Sequence, residues 1–482
     1  MIDDHFGTET LTFIMAGGHG KRLHPLTEER AKPAVVFGGI YRLIDFTLSN
    51  CYHSGLRKLL VLTQYRSRSL HRHILNGWSF FNARPGEYLD LNPPQFRGRE
   101  SWYLGTADAI YQNLFAIHAE KPEYVLVLGG DHIYKMHYGK FLQFHKEKSA
   151  DISVSCVEVK REEARDFGVL HVDKNNKVVG FLEKPDDPPP IPGKPDRALV
   201  SMGIYYFTAE KLISVLEFDR DENSRHDFGR NIIPYMIDQE MEVYAYPFED
   251  ENRRGKTYWR DVGSIDAYYN ANMELLEVDP IFNLYDRDWR IMTWYPSLPP
   301  AKTVFADEEE PKIRVGKALD SLLSPGSIIS GGIVKKSIIS PLVKVNSYST
   351  VENSILMDRV EIGRRARVKN AIIDKDVRVP PGYEIGYDTS EDRKKFFVSD
   401  SGIVVISKGK RSNESRYNDK LITLYELLFT STLFLPLSFA LYRALSAFLI
   451  KIDCFSFKDG TAEVTPKLIV RCLSTSDGSC FI

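Results

Sequence analysis

From Leu322 onward apolar residues recur about every six positions: Ile333, Ile339, Val345 and Val351, then Leu356, Ile362 and Val368, then Ile373, Val379 and Ile385. Small and charged residues fill the gaps. A helix repeats every 3.6 residues and an ordinary strand every two, so a period of six is neither. It is the signature of a parallel β-helix, in which each coil stacks its apolar residue under the next. The repeat therefore predicts a β-helix over 322–386 within a domain taken as 322–408. The Pro-rich, acidic stretch that opens at Trp294 makes 294–321 a linker to residues 1–293.

That first part has a different texture. Leu11–Ala16, Lys58–Thr63 and Glu123–Leu128 are short apolar runs that read as buried strands, and Tyr41–Cys51 has helical apolar spacing. Strands alternating with helical patterns predict an α/β fold, a mostly parallel, Rossmann-like sheet with helices on both faces. In such sheets ligands lie beyond the carboxyl ends of the strands. Two glycine-rich breaks fall at those ends: Gly17-Gly18-His19-Gly20 after the first strand and Gly129-Gly130-Asp131 after the third. Glycines after a strand let backbone N–H groups approach an anion, and Lys21, Arg22 and Lys32 add positive charge nearby. The pattern predicts a polyphosphate cradle. It is neither the dinucleotide fingerprint, whose third glycine is replaced by Leu23, nor a Walker loop, because Gly20-Lys21 is followed by Arg22.

The compound motif Ala-Gly-Gly-x-Gly-x-Arg-Leu-x-x-Leu-Thr-x-x-Arg-Ala-Lys-Pro-Ala-Val, residues 16–35, resembles the signature of sugar-nucleotide pyrophosphorylases. In detail it is similar to bacterial glucose-1-phosphate adenylyltransferase. Trp102-Tyr103-Leu104-Gly105-Thr106-Ala107-Asp108 resembles that family's second signature, and Leu199–Thr208 its third, with Tyr206 where a smaller β-branched residue is usual. The resemblance covers residues 11 to about 408. It implies a nucleotidyltransferase catalytic domain over 1–293, a left-handed hand for the β-helix, and adenylyl transfer from ATP to glucose 1-phosphate, feeding glycogen synthesis. By resemblance Gly17, Gly18, Gly20, Arg22 and Lys32 hold the nucleotide, and Arg22, Lys32 and Asp131 are catalytic. Tyr103, Gly168, Glu183, Lys184 and Ser201 contact the sugar phosphate. Asp131 and Asp261 hold Mg2+, which neutralises the pyrophosphate leaving group. His132, beside a metal that prefers oxygen, is read as a structural hydrogen-bonding residue, and Trp102 as core. Asp227 reads equally as a helix N-cap and as a substrate contact.

The residues also limit the alternatives. Hexapeptide repeats occur in acyltransferases too, but that chemistry needs a catalytic His, and the twelve histidines all precede residue 227. The repeat is therefore read as a scaffold for subunit contacts and regulation, and the family is typically tetrameric, implying a homotetramer. Small-molecule allosteric effectors are expected, with weak or altered control. In the enteric type activated by fructose bisphosphate a Lys precedes Arg-Ala-Lys-Pro, whereas here it is Glu29; an inhibitor-site His aligns with Val36, and Arg42 is kept. A net charge of −2 gives no basic field for nucleic acid. Five scattered cysteines make no disulfide framework, and the acidic start lacks a signal-peptide pattern, so the cytoplasm is the default compartment. Residues 409–482 form an atypical extension. Leu421–Ile450 is apolar enough to span a bilayer, but Glu426, Pro436 and Arg443 make it a poor membrane helix. A non-functional extension is the reading favoured over a membrane or partner anchor.

Overall fold

The computed structural model describes residues 6–95, 102–252, 255, 257–307 and 314–409. The extension, with its apolar stretch and three of the cysteines, lies outside the described residues. The first apolar run forms β1 (Thr10–Ala16), whose side chains are almost all buried. After the helix α1 (Leu43–His53) come β2 (Lys58–Thr63), β3 (Tyr88–Asn92) and β4 (Tyr124–Gly129). β1 pairs in parallel with both β2 and β4, and β3 extends this parallel half beyond β2. Continuous apolar runs suit strands buried on both faces.

The sheet continues through β5 (Ile152–Lys160), the hairpin β6 (Gly168–Val172) and β7 (Val178–Glu183), the long β8 (Arg197–Thr208), and β9 (Val243–Pro247). Here β8 runs antiparallel to β4, β5 and β6. The turn between β6 and β7 closes because the Asp173 carboxylate accepts from the backbone N–H groups of Asn175 and Lys177. Two buried layers of side chains, one on each face, fill the space between sheet and helices. Cys51 and Cys156 are buried free thiols within them. Tyr206 is fully buried against Phe141, a packing role.

The repeat builds three parallel sheets that share each coil, as a left-handed parallel β-helix does. Val334, Val351, Val368 and Ile385 stack in one sheet, 17 residues apart, and Ile339, Leu356 and Ile373 in another. The spacing per coil is thus six, six and five. That corrects one position: Val334 is the inward residue, whereas Ile333 is 41% exposed. Corners place Leu342, Tyr348, Arg359, Arg365 and Asp376 in the left-handed backbone region. Hydrogen bonds to the coil below, such as Arg359 N–H to Pro341 O at 3.0 Å, hold them in that unfavourable conformation. The coil also starts earlier than the spacing suggests. Lys302–Val304 and Lys317–Leu319 already pair with the second coil. A side ribbon of Ala306–Asp307 on Arg314–Val315 interrupts that first turn and hides its period.

Candidate functional site

The phosphate cradle is positioned by strand register. Met15 sits opposite Gly129, and the Gly130 N–H donates to Met15 O at 3.1 Å. The turns that leave β1 and β4 therefore emerge side by side. Gly20 adopts φ 58°, and a β-carbon there would meet Thr27 and Lys32 at 3.0 and 3.1 Å. Both the backbone conformation and the close approach of Lys32 require glycine. Thr27 fastens the turn by donating its hydroxyl to Gly20 O at 3.0 Å.

Lys32 opens a one-turn helix, Lys32–Ala34, with its side chain only 10% exposed. Its ammonium lies 2.9 Å from Asp131 Oδ2 and 2.9 Å from Asp261 Oδ1. Asp261 arrives from 130 residues downstream through a short ribbon, Arg260–Asp261 on His132–Ile133, in which Asp261 pairs with His132. The two carboxylates thus meet across the crevice. Neither is a helix cap: His137 caps the helix after Asp131, and the Ser264 hydroxyl caps α2 (Ile265–Met273) after Asp261. Arg22, 60% exposed, reaches Asp261 Oδ2 at 3.8 Å, and Gly263 leaves room for the approach.

Charge is stabilised here against burial. Desolvation pushes the Asp131 carboxyl up, but Lys32 and then His132 pull it down to about 2. Desolvation likewise opposes the Lys32 ammonium, and the two carboxylates outweigh it, leaving the amine above its ordinary value. A cavity of about 290 Å³ lies against this cluster, lined by Gly18, Gly20, Lys21, Arg22, Lys32, Asp131 and Gly263.

A second cavity of about 630 Å³ opens from the same floor, lined by Gly17, Gly18, Tyr103, Asp131, His132, Glu183, Asp227 and Gly203, among others. Tyr103 is fixed by Asn92 O and Asn113, and its backbone N–H donates to Gln64 at 2.8 Å. Glu183 pairs in register with Gly168 at the mouth of the hairpin. Burial, then the nearby Asp227, raises its carboxyl above the usual range. Asp227 is the helix cap, accepting from the Gly229 and Arg230 N–H groups, and it also lines the cavity.

Other sequence-predicted residues stand back from these walls. Lys184 is exposed, in a left-handed conformation, one residue beyond Glu183. Gly168 lies under Phe181 and Glu183. Ser201 is buried and accepts from the Gly203 N–H at 3.1 Å, where β8 bulges away from β5. Trp102 is 58% exposed, not core, and Tyr103 is the member of the pair that packs against the core. His132 packs edge-on against Trp259, and its buried Nδ1 has no partner among the described residues. It is not the hydrogen-bonded structural residue the sequence suggested. Gln64, Thr106 and Gly203 were not singled out from the sequence. Gln64 directly follows β2, Thr106 opens a short helix and Gly203 lies in β8, and the last two stand inside the stretches Trp102–Asp108 and Leu199–Thr208.

Among the described residues no three His, Cys, Asp or Glu side chains converge as a complete metal cage. Two carboxylates that already share one cation do suit a hard divalent ion, which takes few protein ligands and completes its shell with water and phosphate. No helix among the described residues is long and apolar enough to cross a membrane.

Comparison with known proteins agrees with this fold. Residues 11–278 match the Nucleotidyl transferase family, and residues 299–406 match a GlmU-like, C-terminal hexapeptide family. A glucose-1-phosphate adenylyltransferase of Rhodopirellula baltica is 53% identical over 405 residues, covering 83% of this chain and 90% of that protein. Enzymes of the same name from Koribacter versatilis and Methylococcus capsulatus are 51% and 49% identical, over 83% of this chain and 95% and 93% of theirs.

Proposed function

The chain belongs to the glucose-1-phosphate adenylyltransferases within the nucleotidyl transferase family, and from that premise we propose how its cleft makes ADP-glucose and diphosphate from ATP and glucose 1-phosphate. The observation that carries the reading is the convergence of Asp131, Asp261, Lys32 and Arg22 beside the Gly17–Gly20 turn. The triphosphate lies along that turn, with its N–H groups, Arg22 and Lys32 compensating phosphate charge. The sugar phosphate occupies the larger cavity between Tyr103 and Glu183, with Lys184 and Ser201 at its margin. An oxygen of the sugar phosphate attacks the α-phosphorus in line, and pyrophosphate departs on the opposite side. Little covalent help is required, so positioning and fixed charge supply most of the rate.

Asp131 and Asp261 would hold Mg2+, which when bound neutralises the phosphates and the developing charge on the leaving group. Asp131 supports that role because it stays ionised throughout the physiological range. Both substrates are intracellular phosphates, which supports a cytoplasmic enzyme. Partly exposed apolar residues on the first coils, including Leu319, Ile328 and Ile333, support a homotetramer assembled through the β-helix. Small-molecule control is weak or altered: Glu29 is exposed and near Arg66, and Arg42 is already turned toward Asp358.

The test is pyrophosphate release with glucose 1-phosphate, Mg2+ and each nucleoside triphosphate in turn, with Asp131→Ala alongside. Release with ATP and loss in the variant are expected. Release with another triphosphate, or none, overturns the assignment.

A further inference from the structure

The Asp131–Asp261 pair is already occupied by an internal cation. The Lys32 ammonium sits 2.9 Å from one oxygen of each carboxylate, which is direct, charge-assisted hydrogen bonding to both. The start of the side chain cannot retreat. It is packed against Gly20, whose missing β-carbon makes room for it, and it springs from a buried one-turn helix. Only the ammonium end can move, and the 290 Å³ cavity beside it is the open direction. That cavity is unfavourable to a free cation. Lys21 and Arg22 line it, Arg22 reaches Asp261 at 3.8 Å, and His132 Nε2 stands 3.6 and 4.0 Å from the same two carboxylates. A free divalent ion therefore meets oxygens that are already compensated, within a ring of nitrogen donors. A polyphosphate meets the opposite situation: backbone N–H groups, two cations in the cavity, and a third that can turn toward it.

We propose that Lys32 is a resident cation that keeps the carboxylate pair closed to free divalent metal and yields it when nucleotide phosphates draw the ammonium away. Lys32 is then a positioning residue that couples metal to nucleotide. Any such coupling is reciprocal, so nucleotide tightens metal as much as metal tightens nucleotide. The inference rests on the metal reading of Asp131 and Asp261 given above.

The experiment is Mn2+ binding to the full chain, followed by the electron-spin signal of the free ion, with and without the non-reactive analogue α,β-methylene-ATP. Lys32→Gln removes the ammonium and is expected to bind Mn2+ alone roughly tenfold or more tighter than wild type. The Lys32→Arg variant keeps the charge and stays as weak as wild type. Adding Asp131→Asn to Lys32→Gln abolishes the gain. A Lys32→Gln protein with wild-type melting that binds Mn2+ no tighter overturns the resident-cation proposal alone. Absence of Mn2+ binding by every form, with or without the analogue, overturns the metal reading and the proposal together. An independent readout in the wild type is acylation of Lys32 followed by mass spectrometry. Millimolar Mn2+ should raise its labelling selectively as the ammonium is displaced, and unchanged labelling at saturating Mn2+ counts against the proposal.

Discussion

Two clusters of charge in this protein look alike in composition and differ in what they can do. One lies in the cleft: Arg22, Lys32, Asp131 and Asp261. The other joins the catalytic domain to the β-helix: Arg30, Arg42, Asp358, Asp374 and Lys375. At the junction Arg30 grips Asp374 in a two-pronged bond at 2.8 and 2.9 Å, with side chains 5% and 2% exposed. Asp358 receives Lys375 at 3.0 Å and Arg42 at 3.9 Å. The Arg30–Asp374 pair is saturated and sealed, and its role is to hold two domains in register. In the cleft one lysine spans two carboxylates, an arginine stands 3.8 Å away, and a buried imidazole nitrogen has no partner among the described residues. That cluster opens onto a cavity. Charge that is geometrically satisfied and closed is structural, while charge held short of saturation beside open space is available for chemistry.

The comparison is broken most sharply by removing one charged group from each cluster. In the cleft, Asp131→Asn should lower kcat for pyrophosphate release by at least ~10³-fold while changing stability by no more than ~2 kcal/mol. A variant that keeps wild-type turnover would remove Asp131 from the chemistry. At the junction the same kind of change should do the reverse. Arg30→Met leaves Asp374 buried and uncompensated, a loss of about 3 kcal/mol in denaturant melts with the cleft geometry intact. Pairing Arg30→Met with Asp374→Leu should recover much of that loss, because the cost lies in the stranded charge.

Proton linkage sharpens the contrast further. Burial, then the neighbouring Arg42, pushes the Lys375 ammonium from 10.5 down to about 7, even though Asp358 opposes this. Burial raises Asp358, yet Lys375 and Arg42 hold it below the usual carboxylate range. Between pH 7 and about 10 the unfolded chain therefore carries more protons at Lys375 than the folded one. Stability contributed here rises with pH through that window. Melting temperatures recorded from pH 7 to 9 should climb more steeply in the wild type than in Lys375→Met, and parallel slopes would contradict the assignment. At Asp131 the slope has the same sign but falls in an acid window. Its depressed carboxyl contributes stability above the unfolded value of 3.8 that is lost only as pH falls toward 2. The smallest effect is expected at the surface. Glu29 and Arg66 are 4.0 Å apart and both exposed, so Glu29→Lys should leave stability within ~0.5 kcal/mol. It should instead strengthen the response to a sugar bisphosphate, and an unaltered activator response would sink the charge argument.

Much of the site was legible in the sequence because its parts are local. Gly17–Gly20 and Asp131 directly follow apolar runs, and strand ends in α/β sheets collect ligands. The period of six named the β-helix for the same reason: each inward residue repeats along the chain. What failed was also local in character. Ile333 and Val334 are equally apolar, and only the coil's six-six-five rhythm tells which turns inward. Trp102 carries the residue type of a core and lies exposed. Nothing in Gln64 announces a cavity wall, whereas Thr106 and Gly203 stand inside the signature stretches.

The sequence by itself determined the element types, the order of the two architectures and the chemistry available at each strand end, because these depend on neighbours within a few residues. Tertiary structure alone decided which charges meet. Lys32, Asp131 and Asp261 are separated by 99 and 130 residues and share one point in space through a two-residue ribbon and a parallel register. Arg30 and Asp374 lie 344 residues apart and form a buried seal between the domains. Coulomb interactions act through space and are set by distance and burial, neither of which is written in chain order.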